Sequence, residues 1–348
     1  MPKQPLKFPL SLEPPDKWPL VDWPLEDDGF KLKVLPFSFG RDPEPLARSI
    51  QKQGLLRPLW GVIDPEGRPV IVSGGLRVAA LKLLGQTTAP TYLLTQDPHW
   101  LDVWTLALAD NLGKTYNPAE KALILAALSS TLTDPEMASL TGLMDLPIGK
   151  ALKERNLAAA KLPYPALLAL AKDKLDLATG ARLAQLGPDA LGLWTLLEGY
   201  NPSLQTRRKW VDWLIDLSRL EKRAPLDLAQ EIGATLANPP SFKAPNLGPA
   251  KTFEGLLKSW RFPKVTFLEA QRLRLLKSAP LPPGVSLTTD PSLEDLKATL
   301  TIQFSGPDDL AARLKELKPL LNNPNFQKIW KLKWPEDEDL FFNSPTLH

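Results

Sequence analysis

The run Val70-Ile71-Val72-Ser73-Gly74-Gly75-Leu76-Arg77-Val78-Ala79-Ala80 carries an apolar strand through two glycines into a helix. Glycines let backbone N–H groups approach an anion, a helix start favours negative charge, and Arg77 in the first turn is placed for a bidentate phosphate contact. The same residues also suit a tight strand-to-helix turn with a surface arginine. A second polar group, Asp110, Asn111 and Lys114, surrounds Gly113 at the end of an apolar helix, a place where such side chains often serve as solvated caps. A third set, Lys150, Lys153, Arg155 and Asn156, can meet phosphates and base edges if its helix enters a major groove. The stretch 147–163 around it holds four basic residues and one acid, a balance that an ordinary helical bundle with a basic face shares. Residues 251–277 hold seven basic residues and two acids, interleaved with Trp260, Phe262 and Leu276. They fit either non-specific DNA binding or solvated helix faces.

Composition narrows the chemistry. The chain has no cysteine, which removes thiol nucleophiles, disulfides, thiolate zinc sites and cysteine-held iron–sulfur clusters. Its two histidines, His99 and His348, leave no His-pair metal site and no local Ser-His-Asp arrangement. The net charge of +3 is too small to declare a polyanion partner from the total, so such a partner has to be found patch by patch. No stretch reaches about 18 uninterrupted apolar residues. Prolines interrupt the amino terminus before a signal-peptide core can form, so a cytoplasmic location without a membrane is expected.

The 348 residues predict two or three domains, and 43% hydrophobic with 23% charged residues is ordinary globular usage. Many of the 37 prolines follow Asp or Asn, as at Asp42-Pro43, Asn117-Pro118 and Asp134-Pro135, and read as helix starts. The first two dozen residues differ. Their prolines lack helical spacing and predict an extended or disordered arm whose Trp18 and Trp23 pack on the fold or on a partner. From about residue 30 the pattern is mixed α/β, with strands near 32–34, 59–63, 70–72 and 91–94 and helices near 42–54, 76–84 and 97–111. After Asn117 strand signals vanish for over a hundred residues, and a capping box at Asn117–Glu120 opens a series of helices. A helix-turn-helix is expected at 134–141, 142–145 and 146–160. Beyond a proline-rich linker lie helices near 252–260 and 266–278, a strand at 300–304 and an amphipathic helix opened by Asp308.

The segments Leu46 to Leu59, Ser73 to Gly85 and Asp110 to Glu120 resemble, in order and spacing, the amino-terminal domain of the ParB partition family. That family carries a glycine-and-proline segment, a "GERR" box and an "ENxxR" box leading into "NPxE" and a helix-turn-helix. The resemblance covers about 30–235, and 300–317 looks like the family's strand-then-helix dimerisation element. It implies CTP and Mg2+ bound by a domain that switches a dimeric clamp on DNA. Carried to this chain, it implies nucleotide contacts at Gly54, Arg57, Pro58, Gly74, Gly75, Arg77, Asn111 and Lys114, and Mg2+ held by Asp110 and Asn111. Gly75 stands where the family has an acid and Leu76 where it has the first arginine, so a weakened or altered nucleotide site with slow or absent hydrolysis is expected.

The resulting expectation is an α+β multidomain protein: a Pro-rich arm (1–29), a small α/β ParB/sulfiredoxin-like nucleotide-binding domain (30–116), an all-helical DNA-binding domain (117–236), a linker (237–250), a small α/β dimerisation domain (251–335) and an acidic tail (336–348). DNA, a second copy of the chain and a ParA-type ATPase are the expected partners, at the nucleoid. Enzymatic activity, at most a weak CTPase, stays open in this reading, and the rival readings are an enzyme on the same fold, a small-molecule kinase or nuclease, and an adaptor that bridges DNA without nucleotide. Against an enzyme, the pocket segments offer few carboxylates: Asp110, and beyond it Asp64 or Glu44.

Overall fold

The computed structural model describes residues 12, 15–25, 33–94, 98–141, 149–237, 248–289 and 298–336. They divide into two compact units, residues 1–197 with 203–211, and residues 198–202 with 212–348. The division falls inside a helix, α10 below, and most of the expected linker lies outside the described residues.

The first unit is built on a sheet of β1 (Leu20–Pro24), β2 (Lys33–Val34), β3 (Leu59–Ile63), β4 (Pro69–Ser73) and β5 (Thr88–Leu94), in the order β1-β5-β3-β4-β2. β1 runs antiparallel to β5 and β3 antiparallel to β4, while β5 with β3 and β2 with β4 are parallel. Asp64-Pro65-Glu66-Gly67 reads as a hairpin connection between the two expected strands, and in the β3–β4 hairpin Asp64 fixes that turn by accepting from the Glu66 and Arg68 amides. α1 (Glu44–Gln53) and α2 (Gly75–Leu83) pack together, and Val78 and Leu81 of α2 join Leu59, Ile71 and Ala89 in a core on one face of the sheet. The opposite core gathers Val62, Val70 and Val72 with Val103 and Trp104 of α3 (Trp100–Asp110), Ile124 and Leu128 of α4 (Pro118–Thr131), and Leu140 of α5 (Asp134–Thr141). Successive strand residues point to opposite faces, so the unbroken Val70-Ile71-Val72 run is what a strand covered on both sides requires.

Two sequence expectations change here. Residues 20–24 are extended, as an arm would be, but after a 3-10 turn at Pro15–Lys17 they belong to the sheet: Trp18 is buried in its core and β1 forms an edge. Prolines at 19 and 24 are compatible with an edge strand, where a missing N–H is tolerated. The start of α1 also differs by one place, since Asp42 accepts from the Glu44 amide at 3.0 Å while Pro43 occupies the cap position.

The rest of the first unit is helical: α6 (Lys150–Ala159), α7 (Tyr164–Ala171), α8 (Leu177–Ala184), most of α9 (Asp189–Gly199) and the start of α10 (Leu204–Glu221). α4 is central, in contact with α5, α6 and α7. Arg207 is buried with its guanidinium over the Trp194 ring, and Trp210 is wholly buried, so the basic run Arg207-Arg208-Lys209 is core on one side.

In the second unit α11 (Pro225–Ala237) packs on α12 (Pro249–Arg261), and α12 on α13 (Pro263–Ser278). Tyr200 meets Phe253 at 4.7 Å and Trp213 meets Phe262 edge-on at 5.4 Å. β6 (Val285–Thr289) and β7 (Ala298–Ile302) form an antiparallel pair, followed by α14 (Pro307–Leu317) and α15 (Pro324–Lys328). α11 falls in the stretch expected to be helical, although no separate helix was placed there, and β6 was not expected. No helix among the described residues is long and apolar enough to cross a membrane.

Candidate functional site

β4 ends at buried Ser73, and α2 begins at Gly75. Between them Gly74 has φ +110°, a conformation that side chains rarely adopt, and a Cβ there would stand 2.5 Å from Leu59 Cδ2 and 3.1 Å from Arg77 Nε. Glycine therefore lets Arg77 fold back over the turn. Its Nη1 donates to the main-chain carbonyls of Arg57 (2.9 Å) and Pro58 (2.5 Å), and its Nη2 donates to Ser73 Oγ at 3.2 Å. Ser73 in turn donates to Asp110 at the end of α3. Burial lowers the Arg77 pKa, Asp110 opposes that shift, and the nearby Arg57 charge adds to it. Arg77 thus bolts the turn to the entry of β3, leaving Nε and one Nη2 hydrogen for a ligand.

Gly75 has a different reason. A Cβ there would lie 2.6 Å from Ser38 Oγ and 2.7 Å from Val34 Cγ1. Segment 34–41 occupies the space that an acidic side chain would need.

The same segment reaches the start of α4. Asn117 caps that helix by accepting from the Glu120 amide at 2.8 Å, and donates through Nδ2 to the Phe39 carbonyl at 2.9 Å. Glu120 completes the capping box by accepting from the Asn117 amide, and although fully buried it also takes a two-pronged contact from Arg41 at 2.7 and 2.8 Å. Arg41 further donates to the Thr115 carbonyl at 2.5 Å, and the bond to Glu120 raises its pKa. Lys114 Nζ stands 3.8 Å from Glu120 Oε1 and 3.5 Å from Asn111 Oδ1. Burial lowers the Lys114 pKa and the Arg41 charge lowers it further, against the pull of Glu120 and Asp110.

The structure therefore joins Arg57, Pro58, Gly74 and Arg77 to Asp110 through Ser73, and Asn111 and Lys114 to Glu120 and Arg41. Gly54 is the C-cap of α1 at φ 76°, bonded to the Ile50 carbonyl. Ser73, Arg41 and Glu120 are the residues the site reading missed. Glu120 was legible as a cap, whereas Arg41 lies 79 positions from its partner and had no local signal.

The donor set does not suit the Mg2+ expected at Asp110 and Asn111. Beside phosphates, Mg2+ fills its octahedron with water and phosphate oxygens and takes one or two free carboxylates from the protein. Asp110 already accepts from Ser73, Asn111 Oδ1 faces the Lys114 ammonium, and Asn111 Nδ2 donates to the Ala107 carbonyl at 2.8 Å.

On α6, Lys150 and Arg155 are exposed, as a phosphate contact needs. Lys153 pairs with Asp134 of α5 at 3.1 Å. Asn156 departs from the base-reading role: it is buried, and its amide donates to the Leu152 carbonyl one turn back at 2.8 Å. Most of the expected second helix's first turn, with the turn before it, lies outside the described residues. In the second unit the basic stretch is partly neutralised, Lys258 by Glu269 at 2.7 Å and Arg261 by Asp216 at 3.3 Å.

No family model matches the chain, and no curated protein matches its sequence. Among solved structures, the chain is similar to the C-terminally truncated chromosome-partitioning protein ParB from Caulobacter crescentus complexed with CTP-γ-S, at 22% identity over 51% of this chain and 97% of that one, with a TM-score of 0.23. It is similar to the same protein complexed to the centromeric parS site, at 20% identity over 55% and 98%, TM-score 0.24. The Pnob8-like ParB-N domain gives 18% identity over 63% and 88%, TM-score 0.26. At identities and TM-scores this low, function has to be argued from the site itself.

Proposed function

We propose that the protein is a ParB-like DNA-binding protein, dimeric and responsive to a nucleotide, CTP first among them, bound at the Ser73–Arg77 turn. One observation carries the reading: segment 34–41 ties the turn to the first helix of the helical region. Val34 and Ser38 lie under Gly75, Phe39 holds Asn117, and Arg41 holds Glu120. A phosphate drawn to Arg77 and Lys114 would compete for Lys114 with Glu120 at the cap of α4. Occupancy then changes the contacts that fix α4, against which α5 and α6 pack. That is a route from ligand to DNA-facing helix through packed, bonded groups.

DNA contact falls to Lys150 and Arg155 and, once released from Asp134, Lys153. The test is retention on closed-circular against linear duplex, with and without each nucleotide. Retention on closed DNA that appears only with nucleotide supports the clamp, and nucleotide-independent retention on both favours the bridging adaptor. Paired Lys150→Ala and Arg155→Ala should weaken binding to all sequences alike and lower the salt slope by about two. An unchanged slope assigns α6 to the bundle interior and its basic face to solvent. Labelled product from CTP, ATP or DNA would instead favour the enzyme reading.

A further inference from the structure

We infer that the site takes its phosphate-bearing ligand without a divalent cation, with Arg77 and Lys114 supplying the charge a metal would bring. The inference rests on the phosphate-binding reading of the same turn. The protein oxygens around the turn and the cap are engaged or face a cation. The Arg57 and Pro58 carbonyls accept from Arg77, and Ser73 Oγ both accepts from Arg77 and donates to Asp110. Asn111 Oδ1 looks onto Lys114. Both Glu120 oxygens accept from Arg41, and one also holds the Asn117 amide.

Asp110 Oδ1 is left, within the electrostatic reach of both Arg77 and Lys114. A divalent ion there would meet two positive charges at short range with one carboxylate to hold it. The position that could add a second carboxylate is Gly75, and Ser38 and Val34 fill the space beside it.

An anion meets the opposite balance. Among the described residues, Arg41, Arg57, Arg77 and Lys114 face the carboxylates of Asp110 and Glu120, four cations to two anions, so the cluster carries a surplus of positive charge before any ligand arrives. A metal-free phosphate chain neutralises that surplus, and a metal-bound one brings less charge to do so.

Calorimetric titration of the full chain with pyrophosphate and with CTP, each in excess EDTA and in excess Mg2+, tests this. Binding in EDTA at least as tight as in Mg2+ is expected, and Lys114→Met should weaken it by about tenfold. Asp110→Asn, which removes a would-be metal ligand, should tighten pyrophosphate binding by about threefold. Melting curves confirm that each variant is folded, and if Asp110→Asn does not fold the wild-type comparison decides. Binding that requires Mg2+, or its loss in folded Asp110→Asn, overturns the inference while leaving the nucleotide reading standing. Pyrophosphate binding in EDTA with no CTP binding does the reverse, and no heat from either ligand in either condition ends both.

Discussion

At Gly75 there is no room for a side chain, so placing an acid there should not create a metal site. A Cβ must displace Ser38 Oγ, which can rotate, and Val34 Cγ1, which sits in a strand and cannot turn freely. Gly75→Ala should therefore cost about 1–3 kcal/mol by urea denaturation, and Val34→Ala in the same chain should return part of it. Additive losses would show that the two positions do not touch. Lys114 gives a second prediction, with two signs. Its folded pKa lies below that of the unfolded lysine, so between the two values the unfolded chain binds more protons and stability rises with pH. Anion affinity runs the other way over that window, falling as the ammonium is lost. Tyr116, whose pKa burial raises, adds the opposite slope once the unfolded phenol ionises, so the comparison belongs below that point, and Arg41 stays charged throughout. Measured together, melting temperature and pyrophosphate affinity should move in opposite directions on the alkaline side, and Lys114→Met should flatten both. A parallel fall in the two would place the titration elsewhere.

Among the elements, the cap of α4 is held from two directions, by its own box and by Arg41. Glu120→Gln keeps the shape but removes the carboxylate that Arg41 and Lys114 share, and breaking such a buried pair costs about 3 kcal/mol. Faster amide exchange should appear in the first turn of α4 and at Thr115, ahead of the β4 core; uniform acceleration would mean the pair serves global stability only. Local chemistry explains what could be read in advance. The capping box, the Asp64 turn and the Gly74 turn each lie within a few residues of their partners and were expected. α11 carried a signal, because Pro225, Leu228, Ala229 and Ile232 are buried at helical spacing after a proline at the first position. β1 was hidden by its prolines and β6 by its isolation, since a lone pair of strands has little burial to pattern it. Asn156 looked available because polar residues on a helix usually face solvent, and only the packing of α6 against α4 and α8 buries it.

For the whole molecule the open question is what covers the carboxy-terminal hairpin and helix. A two-stranded sheet is marginal by itself, and α14 buries none of its residues. Leu300, Phe304, Leu314 and Leu321 are 42–64% exposed, spread over β7, the turn after it and the helical turns that follow. Four large apolar side chains left in water along one strand-helix segment are costly, and a second copy presenting the same segment would cover them isologously. The chain should therefore sediment as a dimer of the 38.5 kDa protomer. Leu300→Glu with Leu314→Glu should shift it toward monomer while the melting of the sheet around Val70 and Trp104 stays in place, because those cores belong to the other compact unit. A wild-type monomer at tens of micromolar would remove the dimeric clamp from the proposed function. Nucleotide-dependent retention on closed DNA by that monomer would then require one chain to encircle or grip the duplex alone.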